Sequence, residues 1–405
     1  MAAPPLHTLQ AECEAELHRL VAWWTRHIVR PEGGYHGKIL LDGQPDMTAP
    51  VSAILGARLL WFFSAAAQIT GYVACRAQAD RAADWFHDRF LDPAYGGLLW
   101  SVMPNGEVHD GRKHAYAQAF GLYAFAMHYR LSGAASSRAA ALSLFRTLET
   151  HYRDPVQGGY REAFARDFSP IPDHRLSEKE PASPKTMNTH LHVLEAFTEL
   201  ARSDRSADIL AALEHALTIF LDHIVHTDQR SLAMFLTDDW QDESRAISFG
   251  HDIEASWLIC EAADVLGDEP LRARAQAAAI ALADAVLTGG TGPEGQVHDE
   301  REHSEGHIDR SSVWWIQAEA LVGFLNAFER SADERFADAA LRCWSFIRTC
   351  IIDPEGEWRS NGTPDGHMDA WWAGPWKACY HNGRAMMETA HRVRRLAAAP
   401  LNTGG

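Results

Sequence analysis

Apolar residues recur along this chain with the 3.6-residue period of an α-helix, in twelve segments separated by polar or glycine-containing loops. Six segments are apolar on nearly every face, as at 115–129, and the six that alternate with them are amphipathic, as at 75–90. We expect the first kind inside the fold and the second kind on its outer surface. The pattern predicts helices at 9–29, 51–70, 73–91, 112–131, 135–152, 187–203, 206–226, 250–266, 269–287, 311–330, 334–351 and 379–397.

A turn motif repeats between the helix pairs and divides the chain into six units. Its copies read RPEGGYHG (30–37), LDPAYGGLLW (91–100), RDPVQGGYRE (153–162), TDQRSLAMF (227–235, degenerate), TGPEGQVHD (291–299) and IDPEGEWRS (352–360). The second residues of successive copies are separated by 61, 62, 74, 64 and 61 residues. The third unit carries an insertion at 166–185, whose prolines and polar residues predict a long loop near the mouth of a pocket.

The lengths of the connections predict the architecture. Each apolar helix is followed by a connection of only two to six residues, whereas each amphipathic helix is followed by a long glycine-containing loop. All long loops then lie at one end, where the GGY-type segments are expected to form short hairpins. Six inner and six outer helices in alternation describe an all-α (α/α)6 barrel, one catalytic domain over residues 1–405, with its pocket at the long-loop end. An open TPR-type or HEAT-type superhelix predicts shorter units of roughly 34 to 47 residues.

The composition narrows the choice of partners. The chain has 37 basic and 54 acidic residues, a formal charge of -17, which disfavours nucleic acid and anionic membranes as partners. It has no basic leader, no run of 18 apolar residues and no CxxC motif among its six cysteines. We therefore expect a cytoplasmic protein, a monomer or weak homodimer, that takes a neutral small molecule.

Polar residues near the start of each predicted inner helix converge on the expected pocket. The sequences MNTHLHVLEA and FGHDIEASWL each contain a histidine followed three residues later by a glutamate, His192 with Glu195 and His251 with Glu254. Counting from the turn motifs predicts that these two pairs occupy equivalent positions in adjacent units. The residues so aligned, one for each inner helix, are Arg58, Tyr116, His192, His251, Trp315 and His381.

Three interpretations fit the converging histidines. A metal site is one, but helical di-metal sites carry Glu-x-x-His rather than His-x-x-Glu, and we expect no metal. Buried histidines that are merely hydrogen-bonded to carboxylates are the second. The third is proton chemistry, in which two neutral imidazoles on opposite faces of a substrate remove and return a proton while Arg58 stabilises an enediolate. Tryptophans near the pocket, Trp314, Trp315 and Trp376, would suit the C–H faces of a sugar, although core packing also explains such residues.

Several segments together resemble one known family. KTMNTHLHVLEA, SFGHDIEASWL, WWIQAEALVGF and WKACYHNGRAMME, with RLLWFFSAA and KHAYAQAFGLYAF before them, are similar to the signature segments of cellobiose 2-epimerases in the N-acylglucosamine 2-epimerase superfamily. The resemblance implies an (α/α)6 barrel and cofactor-free, metal-independent epimerisation at C2 of a reducing-end aldose.

The resemblance also implies roles for individual residues. His251 and His381 would be the acid/base pair at C2, acting through a cis-enediol, and His192 would hydrogen-bond O1 or O2. Arg58 would stabilise the enediol oxygens, and Glu254 would orient or polarise its surroundings. Tyr116, Asn188, Trp314, Trp315 and Trp376 would hold the sugar.

Four alternatives remain open at this point. A monosaccharide or N-acylglucosamine 2-epimerase carries the same core, and an aldose–ketose isomerase of the mannose-to-fructose type shares the first proton abstraction. A glycoside hydrolase on this barrel would need two opposed carboxylates rather than two histidines. The last alternative is a carbohydrate-binding barrel without turnover.

Overall fold

Twelve α-helices form in the part of the chain that the structure describes, which is residues 6–31, 33–304, 306–362 and 370–398 of a computed structural model. They lie where the hydrophobic period predicts them. With the π-helical turns that extend three outer helices (Leu148–Tyr152, Phe220–Ile224 and Ile347–Ile351), the predicted bounds are correct to within three residues. The helices are α1 (Leu6–His27), α2 (Ala53–Thr70), α3 (Val73–Phe90), α4 (Ala115–Ser132), α5 (Ala135–Thr147), α6 (Met187–Ala201), α7 (Ala207–Ile219), α8 (Phe249–Leu266), α9 (Glu269–Gly289), α10 (Trp314–Ser331), α11 (Glu334–Phe346) and α12 (Tyr380–Ala398).

The even-numbered helices form a closed inner ring. Each packs against the next, from α2 through α4, α6, α8 and α10 to α12, and α12 packs back against α2. Each odd-numbered helix packs outside an inner neighbour, with α1 lying on α12. The predicted (α/α)6 barrel is therefore confirmed, and the open superhelix is excluded because its two ends would not meet.

The inner helices are apolar all round because neighbours cover them on every side. Helix α2 is the extreme case, since among the described helices it alone is long and apolar enough to cross a membrane by composition. In the barrel, 83% of this helix is buried. Its place in the inner ring accounts for its composition.

Short strands in the long loops form a rim around the mouth of the barrel. They are β1 (Ile39–Leu40), β2 (Val51–Ser52), β3 (Ser101–Val102), β4 (Val108–Asp110), β5 (Lys113–His114), β6 (Ala163–Phe164), β7 (Lys185–Thr186), β8 (Val225–His226), β9 (Ser231–Leu232), β10 (Phe235–Leu236), β11 (Ala246–Ser248), β12 (Glu300–Glu302), β13 (Ile308–Asp309) and β14 (Trp371–Ala373).

Antiparallel pairing joins each long loop to the next around this rim. Strand β2 pairs with β3, β5 with β6, β7 with β10 and β11 with β12, and Val313 pairs with Asn361. Strand β1 of the first long loop pairs with β14 of the last and completes the circle. The loops that surround the mouth are thus held to one another as well as to the helices.

The turn motifs form the expected hairpins. In four of them a backbone N–H donates a hydrogen bond to the side chain of the fourth residue of an inner helix. Gly97, for example, has a φ of +65°, and a Cβ on it would lie 2.9 Å from Oε1 of Gln118. These hairpin-binding side chains are Gln118, His190, Asp252 and Gln317, which accept hydrogen bonds from the backbone N–H of Leu98, Tyr160, Leu232 and Val297 respectively. This shared contact aligns the repeats residue by residue.

Buried lysines fix three of the long loops just before an inner helix. Each ammonium group binds a buried carboxylate of the turn motif at the start of the same long loop. The pairs are Lys113 with Asp92, Lys185 with Asp154, and Lys377 with Glu357. Removing one partner of such a buried pair would leave an uncompensated charge, so these contacts hold the rim rigidly.

Candidate active site

A cavity of about 340 Å³ lies within the inner ring at the long-loop end. The side chains that line it come from the first two turns of the inner helices and from the third and last long loops. All ten residues singled out from the sequence line it, namely Arg58, Tyr116, Asn188, His192, His251, Glu254, Trp314, Trp315, Trp376 and His381. The barrel therefore brings together residues that lie up to 323 positions apart in the chain.

The first histidine–glutamate pair is formed as a hydrogen bond. Nδ1 of His192 lies 2.9 Å from Oε2 of Glu195, and both side chains are buried. The His192 ring also contacts the rings of Tyr116 and Phe120, with centroids 4.9 and 4.6 Å away. Burial lowers the pKa of His192 against the pull of Glu195, so the ring is neutral near pH 7 and presents Nε2 to the cavity.

The second histidine–glutamate pair is not formed. Nδ1 of His251 lies 2.8 Å from Oγ of Ser248, while Glu254 binds Arg384 instead. Burial, with a smaller contribution from His192, lowers the pKa of His251 to about 3. His251 is thus a neutral imidazole whose partner is a hydroxyl group and not a carboxylate.

The two His-x-x-Glu pairs also do not occupy equivalent positions, contrary to the prediction. Helices α6 and α8 can be aligned on their hairpin-binding residues, His190 and Asp252. In this alignment His192, the sixth residue of α6, corresponds to Glu254 of α8, whereas His251 is the third residue of α8. Positions three apart share a helix face but differ by roughly 4.5 Å in depth. Both histidines therefore reach one cavity at different levels, and the regular count from turn motifs could not detect the difference.

His381 is held by carboxylates from two other helices. Its Nδ1 lies 2.6 Å from Oε1 of Glu319 and 3.8 Å from Oε1 of Glu254. Burial, together with the charges of Arg58 and Arg384, lowers the pKa of His381 well below its usual value. A carboxylate only accepts hydrogen bonds, so Nδ1 carries the proton and Nε2 is left as a base toward the cavity.

One arginine beneath the cavity binds three glutamates. The guanidinium of Arg384 donates to Glu195, Glu254 and Glu319, the last two at 2.7 Å, and Tyr380 also donates to Glu195. Arg384 lowers the pKa of Glu195 to about 2 against the effect of burial. Burial and the nearby Glu319 charge raise the pKa of Glu254 to about 8. Near pH 7 Glu254 thus keeps its proton. Burial raises the pKa of Glu319 as well, while the hydrogen bonds that Arg384 and Trp257 donate to its carboxylate favour the ionised form.

The same cluster is the one metal-like group of donors among the described residues. Ligand atoms of Glu254, Glu319 and His381 lie within 4.8 Å of one another. The Arg384 guanidinium, however, donates to both glutamates and takes the place where a cation would bind them. A metal ion would have to displace a permanently charged arginine, so the donor set fits poorly with a resident metal.

Arg58 faces the cavity from α2 and is held in place by two hydrogen bonds and two ring contacts. It donates to the backbone oxygen of Trp376 at 2.5 Å and to the hydroxyl of Tyr116 at 3.2 Å. Its guanidinium lies over the rings of Phe120 and Tyr380, at 4.7 and 5.0 Å from their centroids. No carboxylate neutralises it through any of these contacts, so its positive charge is directed to whatever occupies the cavity.

Tryptophans form one wall of the cavity. The Trp315 ring contacts both catalytic candidates, with centroids 4.9 Å from His251 and 5.5 Å from His381, and Trp314 lies 5.7 Å from His381. Trp376 is 41% exposed at the mouth. Its ring centroid lies 6.3 Å from that of Tyr116, so Trp376 borders the cavity on the Tyr116 side.

Sequence reasoning missed several residues of this site. Glu319, Tyr380 and Arg384 shape its floor, and Arg384 follows His381 by three residues, a spacing that places both on one helix face. The predicted loop at 166–185 does reach the mouth. The further lining residues are Leu176, Ser177 and Glu180 of that loop, together with Trp371 and Lys377.

Comparison with known proteins agrees over nearly the full length of the chain. The N-acylglucosamine 2-epimerase (GlcNAc 2-epimerase) family model matches residues 33–385. Cellobiose 2-epimerase from Bacteroides fragilis is 38% identical over 387 residues, 94% of this chain and 98% of that protein. The structure of cellobiose 2-epimerase from Bacillus thermoamylovorans B4167 has a TM-score of 0.90 and 34% identity, covering 95% of this chain and 100% of that one.

A more distant relative is named as an isomerase. D-mannose isomerase from Thermobifida fusca is 27% identical over 413 residues, 97% of this chain and 95% of that protein. The family match and the identities extend over the helices whose side chains line the cavity. The chain therefore belongs to the N-acylglucosamine 2-epimerase family and is a carbohydrate epimerase, an enzyme of the isomerase class.

Proposed function

We propose that the chain interconverts the glucose and mannose configurations at C2 of the reducing-end residue of a β-linked disaccharide such as cellobiose. One observation carries the proposal: two neutral histidines, the partly buried His251 and the buried His381, line one cavity and both contact the Trp315 ring. Inversion at carbon needs a base on one face and an acid on the other, and two imidazoles supply both.

The reaction begins after the sugar ring has opened. Nε2 of one histidine takes the proton from C2, the C2–H electron pair forms a C1=C2 double bond, and the carbonyl π pair moves to O1. The other histidine delivers a proton to the opposite face of C2, the double bond opens and the carbonyl re-forms at C1. The product differs from the substrate only in configuration at C2, and its atoms and electrons balance.

Removal of the C2 proton gives the cis-enediol intermediate as an enediolate, with the negative charge on O1 beside the O2 hydroxyl. Arg58 lies at the cavity wall without an ion pair to a carboxylate of the described residues, and the neutral His192 ring presents Nε2 beside it. We assign these two side chains to the enediol oxygens, because preorganised donors aimed at developing charge are often the largest catalytic contribution. Tyr116 holds the Arg58 guanidinium, and Glu254 and Arg384 maintain the floor beneath the histidines.

The reaction needs no redox cofactor or metal, in this proposal. Epimers have the same composition and oxidation state, so no electrons are gained or lost. The cationic groups that stabilise the intermediate are already present as arginines, with Arg384 seated between the glutamates of the metal-like cluster.

The disaccharide as substrate is supported by two points. The cellobiose 2-epimerases of Bacteroides fragilis and Bacillus thermoamylovorans align over almost the whole chain. The deep cavity, at about 340 Å³, is near the small end of the range for ligand sites, and Trp376 continues it at the mouth with an exposed ring. The reducing-end sugar would occupy the deep part, and the second sugar would lie toward Trp376.

Incubation of the full chain with cellobiose, mannobiose, glucose or mannose in D2O tests the proposal. NMR should show the C2 epimer of the disaccharides with deuterium at C2, and both signals should disappear in His251→Asn and His381→Asn. His128→Asn is the matched control, because His128 is a buried histidine bound to Ser137 outside the cavity. An enzyme that neither labels C2 nor forms an epimer from any of the four sugars would refute the proposal.

An aldose–ketose isomerase is the second candidate, and the Thermobifida fusca D-mannose isomerase is the observation that favours it. That reaction shares the enediol but returns the proton to C1. A ketose as the main product from mannose in the same panel, with little C2 epimer, would select it over the epimerase.

A further inference from the structure

Ser248 occupies a helix-capping position without capping its helix. It directly precedes α8 in an extended conformation, with φ -96° and ψ 104°, and its side chain accepts no N–H from that helix. The residues at the same position before α2, α4 and α6 all cap their helices through the side chain. They are Ser52, His114 and Thr186, which accept from Leu55, Tyr116 and Thr189.

The Ser248 hydroxyl is instead directed at the His251 imidazole, with Oγ 2.8 Å from Nδ1. Giving up a capping bond destabilises a helix. The structure thus uses this hydroxyl for a histidine of the active site where three other repeats use the position for stability.

Ser248 and His251 also border a second cavity, here called the side cavity, of about 490 Å³. It lies between the third, fourth and fifth long loops and meets the main cavity at Glu180, Asn188 and His251. Its other polar side chains are Lys179, Thr186, Arg245, Asp299 and Glu300. A polar cavity of this size has room for hydrogen-bonded water, so the Ser248 hydroxyl lies between the His251 imidazole and a space large enough for water.

The two histidines consequently differ in what lies behind them. Behind His381 stands Glu319, which is 1% exposed and is held by Arg384 and Trp257. That carboxylate stabilises a positive imidazolium. Behind His251 stands a neutral hydroxyl, and burial lowers the pKa of this histidine to about 3, so a positive ring is strongly disfavoured there. A neutral imidazole gives up its Nε2 proton readily only if Nδ1 gains one in the same step.

We propose that Ser248 relays protons between Nδ1 of His251 and water in the side cavity, so that His251 works in both directions without becoming charged. This inference rests on the proposed epimerase function. When His251 gives its Nε2 proton to C2, Nδ1 takes the hydroxyl proton of Ser248, and Oγ takes a proton from water. That proton balances the one that His381 takes from the other face of C2 and releases to solvent after turnover. In the reverse reaction each proton moves the opposite way. Ser248 acts through His251 and is a positioning residue rather than a catalytic one.

The variants Ser248→Ala and Ser248→Thr test the relay in the full-length enzyme, with Ser52→Ala as the matched control. Ser52 holds the same place before α2, accepts from the backbone N–H of Leu55 and donates to the backbone of Pro375. Rates would be measured in H2O–D2O mixtures in both directions, from cellobiose and from its C2 epimer, so that His251 is the base in one of them. Conditions would be those in which the 2-deuterated sugar reacts more slowly than the unlabelled one, so that proton transfer at C2 limits the rate.

The relay predicts that Ser248→Ala lowers kcat by about 10²-fold with little change in KM. The dependence of rate on deuterium content should be curved in the wild type, because several protons move together, and straight in Ser248→Ala. Ser248→Thr should restore both the rate and the curvature, and Ser52→Ala should keep the curvature.

A Ser248→Ala enzyme that keeps the wild-type kcat would overturn the relay, as would a slow variant that keeps the curved dependence, since Ser248 would then only orient the ring. A wild-type enzyme that epimerises no sugar in the panel would overturn the proposed function, and the relay with it.

Discussion

Nδ1 of His381, on the last inner helix, lies 2.6 Å from a carboxylate oxygen of Glu319, on the inner helix before it. The contact joins residues 62 positions apart and sets the tautomer of the histidine. It is the feature that turns a buried histidine, which is otherwise an ordinary core residue, into a base directed at the cavity.

Replacing Glu319 with glutamine should slow catalysis without weakening substrate binding. The amide keeps the size of the side chain but removes the charge that stabilises the His381 imidazolium, so kcat should fall by about 10²-fold or more while KM changes little. Initial rates of epimer formation by NMR measure both constants. Glu199→Gln is the control, because Glu199 is also buried and paired with an arginine, Arg130 at 2.6 Å, but lies outside the cavity. Equal losses in the two variants would mean that Glu319 is only a structural partner.

Removing Arg58 should lower kcat because its charge faces the enediol oxygens. We expect Arg58→Ala to lose about 10²- to 10³-fold in kcat, the usual effect of deleting one donor to an oxyanion. Arg58→Lys should recover only part of this, since an ammonium lacks the planar fork of a guanidinium. The same rate assay, with circular dichroism to confirm folding, tests it. If Arg58→Ala raises KM and leaves kcat intact, the arginine binds the ground state and not the intermediate.

Trp376 should distinguish a disaccharide from a monosaccharide. Because it lies exposed at the mouth, Trp376→Ala should raise KM for cellobiose by about tenfold, the value of a stacking contact of ~1.4 kcal/mol, and leave KM for mannose nearly unchanged. Trp240→Ala serves as a comparison, since that ring stacks on His223 away from the cavity. A parallel rise in KM for both sugars would place the second sugar elsewhere.

Glu254 should make the protein less stable as pH rises toward 8. Burial and the Glu319 charge raise its pKa from the ordinary 4.5 to about 8, so between these values the folded state keeps a proton that the unfolded state has lost. The free energy of unfolding should then decrease with pH, by up to about 1.4 kcal/mol per unit. Glu254→Gln should make this slope less negative by up to the same amount in urea titrations at pH 5, 6, 7 and 8, while Glu162, whose pKa is also raised to about 8, keeps its own contribution.

Glu261 provides a control of opposite sign for that experiment. Arg392 and Arg202 lower its pKa despite burial, so its contribution is lost only as pH falls below about 4.5. Glu261→Gln should therefore leave the slope between pH 5 and 8 as in the wild type. An unchanged slope in Glu254→Gln would show that this carboxyl is already ionised in the folded protein.

The sequence by itself determined the architecture of this protein. A helical period of apolar residues and a turn motif at near-regular spacing depend on contacts within one unit, and local rules describe such contacts well. The motif segments were also enough to identify ten candidate side chains, all of which line one cavity. The reason is that residues near the start of an inner helix lie at the long-loop end of the barrel.

Only the tertiary structure decided how those side chains are paired. The sequence places His251 and Glu254 three residues apart, but they are not hydrogen-bonded to each other. His251 is hydrogen-bonded to Ser248, Glu254 to Arg384, and His381 to Glu319. The reason is physical: a buried charged group needs hydrogen-bond partners and a counter-charge from whichever helices lie beside it. Here the buried Arg384 guanidinium donates to glutamates of three other helices. Partners chosen across a barrel in this way leave no periodic trace in the sequence.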